Sequence, residues 1–363
     1  MVCFADRLGL VLPFDDLPRT GMAVLRRDRY TKTHSWIETA GRRFAAAAVL
    51  VALLAAAPAS AAEPNPAPAA STPSGDLPDL SLWSGARALN DIATQLSFGP
   101  RALGSHGHER AVQFISEELK KAKVSVELQR WSYQSDAKVS YALTNVIGRF
   151  DASNPRRVII GTHYDSIVRA YRDKVHPEAP MPGANNSASG VALLLETLRA
   201  LYASPSRPGV GVDLVFFDGE EGPHSLGEGD PNWFPLGSPY FAAHLSELYP
   251  KAKPESAVIF DMVCDRDLKL VAEPFSLRSA GNDVRLFWTI GRKISPWSFV
   301  NEVAPAQISD DQVALDGVGI PSFLVIDFDY EPWFNTTQDT VDKCSQGSLE
   351  TVGRTLFGYL YQK

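Results

Sequence analysis

With 363 residues, 45% hydrophobic and 21% charged side chains and a net charge of −7, the chain can bury a large core. Its acidic balance argues against nucleic acid or an anionic membrane as a partner. Three cysteines are too few for a disulfide framework to define the fold.

In chain order, Arg42-Arg43 precede an apolar run from Phe44 to Ala57, and Ala59-Ser60-Ala61 follows as a small-residue cleavage site. This reads as a secretory signal closing an N-terminal extension over 1–61, with Met22 a candidate alternative start and a twin-arginine route permitted by the arginine pair. The run is shorter than the roughly 20 apolar residues of a membrane span. The expectation is an exported protein, periplasmic or secreted. Residues 62–80 are rich in Pro, Ala and Ser and read as a tether. Past it only Cys264 and Cys344 remain, either paired in an oxidising compartment or separately buried.

From residue 81 onward a single domain is expected. Leu82, Ala86, Leu89, Ala93 and Leu96 mark one face of a helix stopped at Phe98-Gly99-Pro100-Arg101. A second helix spans Gly107 to Lys121 with Ser105 as its cap. Alternation at Val124, Val126 and Leu128, and at Leu143, Asn145 and Ile147, predicts two strands forming an antiparallel edge. The rhythm then becomes strand and helix in turn. Strands are expected at Val158–Gly161, Val212–Phe217, Ala257–Phe260 and Ser322–Ile326. Helices are expected at Ser187–Leu201, Ser238–Leu248, Asp283–Lys293 and Ser348–Tyr361. That is an α/β domain, a mostly parallel mixed sheet with helices on both faces.

Acidic residues punctuate the strand ends. His163 and Asp165 follow one strand, Glu220 and Glu221 a second and Asp261 a third, while Asp310 and Asp311 precede the last. Ligands of open α/β sheets bind along that edge, so one crevice can gather these groups. Carboxylates so placed repel unless a cation or shared protons relieve them, and a carboxylate-rich site with one histidine suits zinc.

The segments Thr162-His163-Tyr164-Asp165-Ser166, Gly183-Ala184-Asn185-Asn186-Ser187-Ala188-Ser189-Gly190, Phe217-Asp218-Gly219-Glu220-Glu221, Asp261-Met262 and Asn335-Thr336-Thr337-Gln338-Asp339-Thr340 together resemble the zinc-dependent M28 peptidases, and among them the glutaminyl-peptide cyclotransferases. The segment between Glu221 and Leu236, which contains Trp233, tilts the comparison to the cyclase branch. The resemblance implies three metal-ligand positions: Asn186, Glu221 and Asn335. Two of the three are amides where the family has an aspartate and a histidine. It also implies Glu220 as proton carrier, Asp261 and Asp310 as its supports, and Trp233 and Phe334 as walls of the substrate pocket. His163 and Asp261 match a second metal site of the two-metal aminopeptidases, with Asp165 beside them, and His224 is the nearest spare imidazole. Three readings follow: conversion of an N-terminal glutamine to pyroglutamate, aminopeptidase action, or a non-catalytic protein that binds peptide N-termini. In each the partner is a peptide or protein N-terminus and the chain is expected to be a monomer.

Overall fold

The computed structural model describes residues 78–223 and 233–363. The export signal within 1–61, most of the 62–80 tether and His224 lie outside the described residues.

A six-stranded sheet organises the domain. Its strands are β1 (Ser125–Gln134), β2 (Ser140–Phe150), β3 (Arg157–His163), β4 (Gly211–Phe217), β5 (Ser256–Asp261) and β8 (Ser322–Ile326), in the order β1-β2-β4-β3-β5-β8. The first two pair antiparallel, as their alternation predicts, and β2 runs antiparallel to β4. The remaining strands are mutually parallel. In β3, β4, β5 and β8 every residue is buried, as expected of strands covered on both faces.

Side-chain alternation splits the core in two. Val158, Ile160, Leu214, Phe216, Val258, Phe260, Phe323 and Val325 face the long helices α1 (Gly85–Leu96), α2 (His106–Lys121), α3 (Gly190–Ala203), α6 (Pro274–Ile294) and α8 (Gln346–Leu360). Their neighbours Ile159, Val215, Phe217, Ile259, Leu324 and Ile326 face the short helices α4 (Gly237–Ala243), α5 (Leu245–Leu248) and α7 (Gln312–Gly317).

Several boundaries differ from the sequence reading. The helix expected over 238–248 is broken at His244, whose Nδ1 lies 2.8 Å from the Tyr240 carbonyl and whose backbone leaves the helical region. The helix expected at 283–293 begins at Pro274. Glu273 caps it by accepting the N–H groups of Phe275 and Ser276, and the chain kinks at Ala280. A two-stranded parallel ribbon, β6 (Leu270–Ala272) with β7 (Phe299–Val303), and helix α7 were not anticipated. Cys264 and Cys344 form a disulfide. It ties the loop after β5 to the segment before α8.

Candidate functional site at the C-terminal strand edge

Because β3, β4, β5 and β8 run parallel, their C-terminal ends share one edge, and the residues that follow them converge there. His163 is the hub. Its Nδ1 lies 3.3 Å from Asp165 Oδ1, its Nε2 lies 3.2 Å from Asp261 Oδ1, and Glu220 Oε2 is 4.0 Å from that same Nε2. Burial works against charge on the imidazole, but hydrogen bonds to Asp165 and Asp261 hold it protonated well above its ordinary range. Both ring nitrogens thus face carboxylates.

Asp165 accepts the backbone N–H groups of Glu220 at 3.0 Å and Glu221 at 3.1 Å. It holds the turn that presents both glutamates. Gly219 in that turn has φ +70°, a conformation that favours glycine. Burial raises the Glu220 carboxyl well above the carboxylate range against the pull of His163, and burial likewise brings Glu221 to about 7. Asp310 also sits at about 7, through burial first and then repulsion from Asp261.

Asn186 and Asn335 arrive from two loops held together by Asp339. Asp339 accepts the backbone N–H groups of Asn185 and Asn186 and the hydroxyl of Tyr330. Asn186 lies in the π turn Ala184–Ser189, entered through Gly183 at φ 73°. A Cβ at Gly183 would stand 2.5 Å from the Asn186 carbonyl oxygen, so the approach requires glycine. The buried Arg101 donates to the carbonyls of Tyr164, Pro182 and Gly183 and fixes this loop from below. Asn335 occupies the left-handed region at φ 53°, which asparagine tolerates better than most residues. Its Nδ2 lies 3.3 Å from the Tyr171 hydroxyl.

The three family ligand positions do not form a zinc site. Asn186 Nδ2 donates to Glu221 Oε1 at 2.6 Å, so an amide proton stands against the one carboxylate of the set. Among the described residues no three His, Cys, Asp or Glu side chains are grouped to hold a metal. Zinc sites of proteins are built from imidazole, thiolate and carboxylate, and neutral carboxamides replace two of those ligands here.

The edge is instead rich in unsatisfied acceptors. Asn186 Oδ1, Asn335 Oδ1 and Asp310 Oδ2 are buried without a hydrogen-bond partner. The amide acceptors belong to residues only 3% exposed. Such atoms mark a place where a partner from outside the chain can be received.

Of the residues singled out from sequence, the structure brings His163, Asp165, Glu220 and Asp261 into one hydrogen-bonded and ionic group, and pairs Asn186 with Glu221. Asp310 joins through its field on Glu220 and His163. Asp261 and Glu220 both approach the same His163 Nε2. Phe334 is buried with its ring 6.2 Å from Phe328. Trp233 is half-buried beside a segment outside the described residues. Asp339 and Arg101 stand in segments singled out from sequence but without an assigned role, and Tyr171 was not singled out, because their roles are hydrogen bonds to distant backbone and loop groups.

A mixed α/β sheet whose parallel edge carries a histidine and carboxylate cluster defines a class, and the comparisons place it. The model of peptidase family M28 matches residues 145–360, and the chain belongs to that family. It is 24% identical over 283 residues to the glutaminyl-peptide cyclotransferase of Bos taurus, covering 70% of this chain and 75% of the bovine one. The crystal structure of Tannerella forsythia glutaminyl cyclase superposes with a TM-score of 0.70 at 28% identity, covering 77% of this chain and 99% of that one. A Zn-dependent exopeptidase from Parabacteroides distasonis gives 0.71 at 27%, with the same coverage.

Proposed function

We propose that this chain is an exported, monomeric member of the cyclase branch of the M28 family, one that takes the N-terminal glutamine of a peptide and closes it to pyroglutamate without the family's zinc. The observation supporting this is the set of buried, unpartnered acceptors at Asn186, Asn335 and Asp310. An N-terminal glutamine supplies the missing donors through its α-amine and its side-chain carboxamide.

In the reaction the α-amine nitrogen bonds to the side-chain carbonyl carbon, and the bond from that carbon to the amide nitrogen breaks. The proton lost by the amine leaves with the departing ammonia, and Glu220 carries it between the two nitrogens. His163, held between Asp165 and Asp261, stands 4.0 Å from that carboxyl and fixes its place.

The donor set also favours cyclisation over aminopeptidase action. Hydrolysis needs a water nucleophile, and generating one at neutral pH is a task these sites give to a metal. Cyclisation carries its nucleophile within the substrate. Orientation and proton transfer then supply most of the acceleration, the latter roughly 10²- to 10⁴-fold.

A second reading, binding of peptide N-termini without turnover, is favoured by the same two amides, since they remove charge and leave the cleft. Incubation with a glutaminyl peptide followed by mass analysis separates the readings. Loss of ammonia supports the cyclase, loss of the first residue contradicts it, and a bound but unchanged peptide makes the chain a binder.

A further inference from the structure

We propose that a cavity beside the site receives the side chain of one of the two residues that follow the peptide's N-terminus, and selects apolar side chains there. The inference rests on the N-terminal peptide reading above. The cavity, of about 320 Å³, lies between the β6–β7 ribbon and the chain leaving β8. Val271, Val303, Pro305, Ile308, Ile326 and Phe328 form its apolar walls. Its size is at the lower end for ligand pockets and suits a single large side chain.

Three wall residues tie the cavity to the site. Ile326, part of the core on the short-helix side of the sheet, is the direct register partner of Asp261 across β5 and β8. Ile308 lies two residues before Asp310, and its N–H is held by Glu273 Oε2. The Phe328 ring stands 6.2 Å from Phe334, the residue before Asn335. Paired strands are about 4.8 Å apart and an extended peptide advances about 3.3 Å per residue. A peptide whose first residue lies at the Asp261 and Glu220 group therefore reaches the cavity with its second or third.

The rim adds a preference. Lys269, Glu302 and Asp329 border the cavity and are exposed, so two carboxylates oppose one ammonium and an acidic side chain is disfavoured. Burying a large apolar side chain in place of a polar one changes affinity on the order of tenfold or more.

The test is a set of fluorescently labelled glutaminyl peptides carrying Phe, Leu, Ala or Asp at the second or third position. Binding is measured by anisotropy and turnover by mass analysis, for the wild type and for Ala306→Trp and Ala304→Leu, which fill the cavity from its wall. Cooperative thermal unfolding checks that each variant folds, and the smaller Ala304→Leu change carries the test where the tryptophan is not accommodated. We expect Phe and Leu peptides to bind at least about tenfold better than Asp peptides at one position, with that ratio collapsing toward one in the filled variants. Equal affinities in the wild type, or a ratio unchanged in the variants, would overturn the cavity's role and leave the N-terminal reading standing. No binding of any glutaminyl peptide would overturn both.

Discussion

Asn186 donates its side-chain amide to Glu221 Oε1 at 2.6 Å, where the family would have two carboxylates facing a shared cation. The contact is self-sufficient: a neutral donor satisfies the carboxylate that a metal would otherwise bind. Asparagine nearly matches aspartate in shape, so the cleft keeps its outline while its charge requirement changes. The proposed chemistry therefore falls to Glu220 and to the substrate's own amine.

Glu220→Gln is predicted to fold as the wild type does and to lose at least about 10²-fold in cyclisation rate, since the proton carrier is removed at constant shape. Initial rates on a glutaminyl peptide, with a thermal melt as the folding control, test this. An unchanged rate would assign proton transfer to another group.

Stability should fall as pH rises from about 4 to about 7. Burial lifts Asp310 and Asp327 to about 7 in the folded chain, whereas unfolded they titrate near 3.8. The folded state thus holds more protons between those values, and its advantage, complete below the unfolded pKa, is lost as pH passes through the folded one. Calorimetry should show a lower melting temperature at pH 8 than at pH 5. A melting temperature that rises over this interval would mean that both carboxyls are already ionised at pH 5.

Breaking the Cys264–Cys344 disulfide should destabilise the protein. The cysteines are 80 residues apart, and closing a loop of that length contributes about 4 kcal/mol in the chain-entropy picture. The Cys264→Ser/Cys344→Ser double variant should therefore melt several degrees lower. An unchanged melting temperature would show that the reduced chain is held equally well by its buried contacts.

Much of the fold was legible because its signals are local. The apolar runs of β3, β4, β5 and β8 are short, β-branched or aromatic, and followed by acids, which marks both the buried sheet and its functional edge. Helix α6 was read short because Gly281 and the kink at Ala280 interrupt its pattern, although Glu273 before Pro274 is a capping signal in plain view. The three- and five-residue strands of the ribbon carry too little pattern to be seen. In the site, His163, Glu220 and Asp261 were visible as polar ends of apolar strands. Asp339 stood in a quoted segment, but its role was not visible, since its partner Asn186 lies 153 residues away. The cavity beside Ile326 left no sequence signal, because its walls come from separate elements.

Zinc content measures the central claim most directly. Elemental analysis of the purified wild type, and of the wild type dialysed against zinc, should find well under one zinc per chain, as should Asn186→Asp and Asn335→His singly. The double variant should approach one, because a site needs about three ligands at once and histidine also tolerates the left-handed backbone of residue 335. Stoichiometric zinc in the wild type would contradict the account and make the amides of Asn186 and Asn335 working ligands.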